Sequence, residues 1–211
     1  MSVVLHGARS TASLVVHWLL IELGVAHELR MLDFDRREQK SPEYLALNPQ
    51  GRVPTLVIDG QPLTEAAAIV MHLADLHPDA GLAPAPGTPR RGDYYRWICF
   101  CANRLQPAYR DWFYPSEPAG EANVEAAQAQ ARAELEAAWQ QVADHLAAHG
   151  PYLLGTHRTA ADFLLTMLMR WSRNMPRPSD DWPALQAHAR RMKALPSFAE
   201  TYRREGITDW T

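Results

Sequence analysis

The chain has 211 residues, 47% of them hydrophobic, which is enough for a sizeable core in one large domain or two small ones. A formal net charge of -3 and a pI near 6.3 leave no basic field for a polyanion, and the 21 Lys and Arg residues are spread along the chain. Nucleic acid is therefore not an expected partner. No basic-plus-apolar leader is present and no apolar stretch approaches the ~20 residues of a bilayer span, so the sequence predicts no membrane association and a cytoplasmic location.

The first 77 residues alternate short apolar runs with helical patterns. "VVLH" at 3 to 6 reads as a strand, and 10 to 23 as a helix stopped by Gly24. "AHELRML" from 26 alternates as a second strand, and Ser41 followed by Pro42 marks the N-cap and first residue of a short helix. "VPTLVID" and a partner strand around Pro62 and Leu63, joined at Asp59-Gly60, carry a hairpin signal. Thr64 then caps a helix running to about Leu76. The order predicts an α/β domain with a mixed four-stranded sheet.

Residues 78 to 88 are rich in Pro, Gly and Ala without periodicity, as in a linker. From Thr88 and Pro89 onward the pattern changes to long helices, about 89 to 113, 121 to 148, 160 to 175, 184 to 194 and 197 to 204. The predicted organisation is thus 1–77, a linker 78–88, and an all-helical domain 89–211. The basic clusters at 190 to 193 and 202 to 204 read as solvated helix faces.

Metal sites are poorly supported. Cys99 and Cys101, two apart on a helix, point to different sides and read as core thiols. His145 and His149 are one turn apart, but no third ligand stands at a motif spacing, so they read as surface histidines near a helix end.

The stretch "NPQGRVPTLVIDGQPLTEAAAIVMHLADL", 48 to 76, carries more information. Pro54 opens a strand, where a trans proline disturbs the ladder; a cis Val53-Pro54 bond turns the Val53 N–H and C=O outward as a free peptide-like pair. Such a pair receives an extended peptide by strand addition. The helix that starts at Thr64 points its amides toward the same edge, a seat for a carboxylate, and Glu65 at that helix start can receive an ammonium group. Taken singly, Pro54 is an edge stiffener and Glu65 a first-turn acid favoured by the helix dipole.

Together with "LHGARSTAS", the linker and "YLLGTHRTAADFLLTMLMRW", these motifs resemble the cytosolic glutathione transferases in order and spacing over essentially the whole chain. The resemblance implies an N-terminal thioredoxin-like domain, an all-helical C-terminal domain, a homodimer, and glutathione as co-substrate with no metal. Thr159 to Asp162 match the family's structural capping motif, so loss of Asp162 is expected to impair folding rather than binding. Carried over position by position, Val53 beside Pro54 holds the cysteinyl backbone of glutathione, Glu65 and the following N–H the γ-glutamyl end, and Arg52 the glycyl carboxylate. Ala66 stands where members usually carry Ser or Thr, so one hydroxyl donor to the γ-glutamyl carboxylate is missing.

The triplet Ser10, Thr11 and Ser13 lacks the elbow and base of a serine hydrolase. In the family, a hydroxyl at this turn donates a hydrogen bond to the glutathione sulfur and stabilises its thiolate. "RSTAS" aligns with zeta-like and bacterial turns in which the first serine has this role, which designates Ser10. Thr11 and Arg9 are alternatives, Ser13 reads as a helix cap, and His6 and Arg9 are near enough in sequence to tune the site. The implied reaction is addition of the thiolate to a small hydrophobic electrophile held against aromatic and apolar residues of 94 to 114. An isomerase or dehalogenase on the same site, and a non-catalytic binding protein of the same fold, are the alternatives.

Overall fold

The computed structural model describes residues 2–211. By packing, the chain forms two units: residues up to Ala83 together with Lys193–Asp209 and Thr211, and Pro84–Met192 together with Trp210. The predicted second domain, 89–211, follows chain order; by packing, its last helix lies with the first unit.

In the first unit, β1 (Val3–Gly7), α1 (Ser13–Glu22) and β2 (Glu28–Met31) form a parallel crossover, followed by the short α2 (Pro42–Leu47). The antiparallel hairpin β3 (Thr55–Ile58) and β4 (Gln61–Thr64) completes a mixed sheet in the order β2-β1-β3-β4. Asp59 and Gly60 both have positive φ, 47° and 81°, the conformation required of the two-residue turn read from the sequence. Ser41 caps α2 as expected, its hydroxyl accepting from the Tyr44 N–H at 3.2 Å. The helix α3 (Ala66–Leu76) packs with α1, burying Ile69, Val70 and Leu73 alongside Val15, Val16 and Leu19. At roughly 25 cal/mol per Å² of apolar surface removed from water, such side chains supply about 1.5–3 kcal/mol each.

Two helix starts differ from the sequence reading. The helix α1 begins at Ser13 rather than residue 10, because Ser10 takes a left-handed conformation at φ 63° that no helix continues. The N-cap of α3 is Glu65 rather than Thr64: Thr64 is still paired in β4, and Glu65 turns the chain at φ 67°.

The second unit contains α4 (Pro89–Phe100), α5 (Gln106–Phe113), α6 (Ser116–Ala119), α7 (Val124–His149), α8 (Ala160–Trp171) and, but for its last residue, α9 (Pro183–Lys193). Among the described residues its only β-type pairing is the isolated bridge between Tyr152 and Gly155. The predicted helix 89 to 113 is interrupted by a π-helical segment, Cys101–Leu105, because Pro107 has no N–H to continue the ladder. Cys101 is buried, and burial pushes its thiol far above the usual range. Cys99 is exposed, so only one of the two cysteines belongs to the core.

The capping motif is formed as expected. The Asp162 carboxylate accepts from the Thr159 N–H at 2.7 Å, the Thr159 hydroxyl at 3.2 Å and the Leu153 N–H at 2.9 Å, and it is fully buried. The final helix, α10 (Pro196–Glu205), packs along α1 within the first unit.

Candidate functional site

Strand register gathers the predicted residues at one end of the sheet. His6 of β1 pairs with Thr55 of β3, and Thr55 with Thr64 of β4. The turn after Gly7, the Val53-Pro54 peptide before Thr55 and Glu65 after Thr64 therefore leave the sheet at the same end. The Val53-Pro54 bond is cis, and among the described residues no turn, loop or side-chain hydrogen bond uses the Val53 N–H or C=O. This backbone pair is open to an extended ligand.

Among the described residues five non-glycines have positive φ, and two of them, Ser10 and Glu65, are predicted site residues. Such conformations cost about 1–3 kcal/mol each and persist where surrounding structure fixes them. At the β1–α1 turn the fixing groups are two hydroxyls. Thr11 Oγ1 donates to the Ala8 carbonyl at 2.7 Å, and Ser13 Oγ accepts from the Ala8 N–H at 3.1 Å while lying 2.9 Å from Thr11 Oγ1 and 3.1 Å from the Ala8 carbonyl oxygen. Ser13 thus ties the turn to α1 from the first helical position instead of capping the helix. The half-buried Ser10 is the member of the triplet for which no hydrogen bond is found among the described residues.

The loop before Val53 is held by groups the sequence reading passed over. The Tyr44 hydroxyl donates to the Arg52 carbonyl at 2.6 Å and lies 2.8 Å from Thr55 Oγ1, while the Asn48 amide donates to the same carbonyl at 2.8 Å. Lys40 Nζ donates to the Gln50 carbonyl at 2.9 Å, bringing a cation to the loop beside Arg52, whose own side chain is exposed. Gly51, at φ 59°, admits this approach: a Cβ there would lie 2.6 Å from the Gln39 carbonyl oxygen and 2.7 Å from Lys40 Nζ. Gln50 Nε2 reaches 3.5 Å from the exposed Glu65 carboxylate, at the outer limit of a hydrogen bond. Tyr44 lies 22 residues before Ala66, the first residue of α3, in no recognised motif, and only its place on a capped helix beside "LNPQGRVP" signalled it.

Ala66 is buried at the first turn of α3, an eleven-residue helix whose free amides and positive dipole end favour a carboxylate. His6 is buried under the sheet end with its ring 5.5 Å from that of Tyr44, and burial, reinforced by Arg30, lowers its pKa. It is neutral at pH 7 and supplies no positive charge to a nearby anion. Arg9 is exposed.

In the second unit Tyr94, Trp97 and Tyr109 are buried and belong to the core, which leaves the exposed Tyr95, Phe113 and Tyr114 from the expected aromatic set, with Trp112 intermediate. Phe113 stacks on Tyr109 at 5.9 Å and meets the Trp171 edge at 6.4 Å. His145 is half-buried and its Nε2 lies 2.8 Å from the Leu153 carbonyl oxygen, while His149 is exposed. Among the described residues no group of three or more His, Cys, Asp or Glu is arranged to hold a metal, and no helix is long and apolar enough to cross a membrane.

Comparison with known proteins adds independent support. Residues 1–75 match the N-terminal domain of glutathione S-transferase and residues 125–191 its C-terminal domain. A glutathione S-transferase, GST-4.5, of Xanthomonas campestris pv. campestris is 33% identical over 96% of this chain and 98% of its own length. Maleylacetoacetate isomerase of Rhizobium meliloti is 31% identical over 92% of each chain. A glutathione transferase homologue from Sulfitobacter, solved with bound glutathione, superposes with a TM-score of 0.88 at 26% identity, covering 98% of this chain and 99% of its own. Sheet order, capping box, the cis Val53-Pro54 peptide and near full-length similarity agree, and the chain belongs to the glutathione S-transferase family.

Proposed function

We propose that the protein is an enzyme that binds glutathione and activates its sulfur through the Ser10 hydroxyl. The observation that carries this reading is the contrast within the turn. Thr11 and Ser13 spend their hydroxyls on Ala8, whereas Ser10 has none of its hydrogen-bonding capacity used within the described residues. A free thiol with a pKa of about 8.5 is mostly protonated at neutral pH, and each pH unit of depression requires about 1.36 kcal/mol of preference for the thiolate. One charge-assisted hydrogen bond from Ser10 supplies that order of energy.

In this reading the Val53 N–H and C=O pair with the cysteinyl backbone of glutathione. Glu65 takes the γ-glutamyl ammonium, the Ala66 N–H its carboxylate, and Arg52, with Lys40 close by, the glycyl carboxylate. The thiolate then attacks a small hydrophobic electrophile: a carbon–sulfur bond forms from the sulfur lone pair, and the electrophile either releases its leaving group or takes up the electron pair and then a proton. The enzyme acts as a homodimer in the cytoplasm. Similarity to the isomerase of Rhizobium meliloti favours a second reaction on the same site, in which the thiolate adds reversibly to an unsaturated acid and leaves after isomerisation. A binding protein without catalysis is the outcome to exclude, since Ala66 lacks a side-chain donor.

Calorimetric titration with glutathione, followed by the ultraviolet thiolate absorbance of wild type and Ser10→Ala, tests the reading. Binding with a thiolate signal that Ser10→Ala abolishes supports it. No binding at millimolar glutathione overturns both enzymatic readings, and a thiolate signal unchanged in Ser10→Ala overturns the role of Ser10.

A further inference from the structure

The helix α10 is remote in sequence from the Ser10 turn, yet three contacts bind it to the helix and turn that present Ser10. At its beginning, Trp18 Nε1 donates to Ser197 Oγ at 2.9 Å, and that hydroxyl donates to the Glu22 carboxylate. Near its end, His17 Nδ1 lies 2.8 Å from Glu205 Oε1, with both side chains almost completely excluded from solvent. Just past the end, the Arg9 guanidinium packs against Gly206, where a Cβ would fall 3.3 Å from Nη2.

The last contact has an electrostatic direction. Gly206 caps α10 at φ 63°, with its N–H returning to the carbonyls of the last turn. The negative end of the helix dipole therefore faces the cation that precedes Ser10. His17 is one turn along α1 from Ser13, whose hydroxyl fixes Ala8. Contacts at His17 and Arg9 thus hold the α1 side and the free side of the short segment whose middle is Ser10.

We propose that α10 sets the position of the Ser10 hydroxyl, with Glu205 as a positioning residue acting through His17 and Gly206 acting through Arg9. This rests on Ser10 being the thiolate donor. A purely structural Glu205 would change stability alone; a positioning Glu205 changes the ionisation of bound glutathione in protein that remains folded.

The test uses the full chain with glutathione as probe, comparing wild type, Glu205→Gln, Glu205→Leu and Gly206→Ala by pH titration of thiolate absorbance and by calorimetric affinity. Glu205→Leu is expected to raise the midpoint of thiolate formation by about one pH unit, a roughly tenfold loss of thiolate, with glutathione Kd measured well below both midpoints, where the bound thiol is neutral, changed by less than about twofold. Glu205→Gln keeps a hydrogen-bonding group opposite His17 Nδ1 and is expected to restore most of the wild-type midpoint. Gly206→Ala, which pushes on Arg9 and keeps both residues of the buried pair, is expected to shift the midpoint in the same direction and serves if Glu205→Leu does not fold. A Ser10-dependent depression in wild type that neither Glu205→Leu nor Gly206→Ala alters overturns the role of α10. Absence of that depression in wild type overturns the Ser10 reading itself, and the role of α10 with it.

Discussion

Gly7 and Ser13 are in direct contact: a Cβ at Gly7 would lie 2.6 Å from Ser13 Oγ and 2.9 Å from its Cβ. No side chain fits there without moving the residue that anchors the turn. Gly7→Ala is therefore expected to lower stability by about 1–3 kcal/mol, the usual effect of overpacking a filled interior. It should also reduce the thiolate signal of the folded fraction, because Ser13 holds Ala8 on one side and α1 on the other. Urea unfolding midpoints and thiolate absorbance on the same preparation check both effects.

Ala66 offers its N–H at the start of α3 but no hydroxyl. If the γ-glutamyl carboxylate sits there, Ala66→Ser adds a hydrogen bond to a charged group, about 1.5–3 kcal/mol in favourable geometry. Glutathione Kd, measured by calorimetry, should fall at least tenfold. An unchanged Kd places the carboxylate elsewhere.

Removing the Asp162 side chain leaves the buried N–H groups of Thr159 and Leu153 without their acceptor. The lost cap and the unpaired donors together predict a destabilisation of about 2–5 kcal/mol in Asp162→Ala. Glutathione Kd of the protein that does fold should be that of wild type. Denaturant melts separate the two effects, and a weakened Kd at full folding contradicts a structural role.

Burial lowers the pKa of His6, His27 and His145. A histidine whose folded pKa is depressed binds its proton more readily when unfolded. Its contribution is present above the unfolded value near 6.5 and is lost as pH falls from there toward the depressed folded value. Unfolding should therefore take up protons, and urea midpoints should fall steadily from pH 7 to about pH 5.5. Midpoints that rise over this interval exclude buried neutral histidines as the dominant titrating groups.

Much of the architecture was legible because local chemistry and global fold agree. Asp59-Gly60 specifies a tight hairpin, Ser41-Pro42 a helix start, and Thr159 with Asp162 a capping box, and each is formed. The misplaced helix starts share one cause. Ser10 and Glu65 belong to residue types common in first turns, but both adopt positive φ, which ordinary propensity argues against at non-glycine positions. Cys99 and the aromatic residues of 94 to 114 were ambiguous because helical spacing sorts side chains onto faces without saying which face is covered. The Tyr44, Asn48 and Lys40 contacts around Arg52 and Gln50 depend on loop geometry, which periodicity does not encode. The partner of α10 was equally hidden, since an amphipathic stripe fits any complementary apolar surface.

The membership of α10 in the first unit has a consequence for the time course of synthesis. Residues 84–192 separate it from the remainder of that unit. At a translation rate of ~5–20 residues per second, they take on the order of ten seconds to be made. Until then the α1 surface carrying His17 and Trp18 emerges from the ribosome without its cover, and the Ser10 turn is completed only when the second unit has already been synthesised.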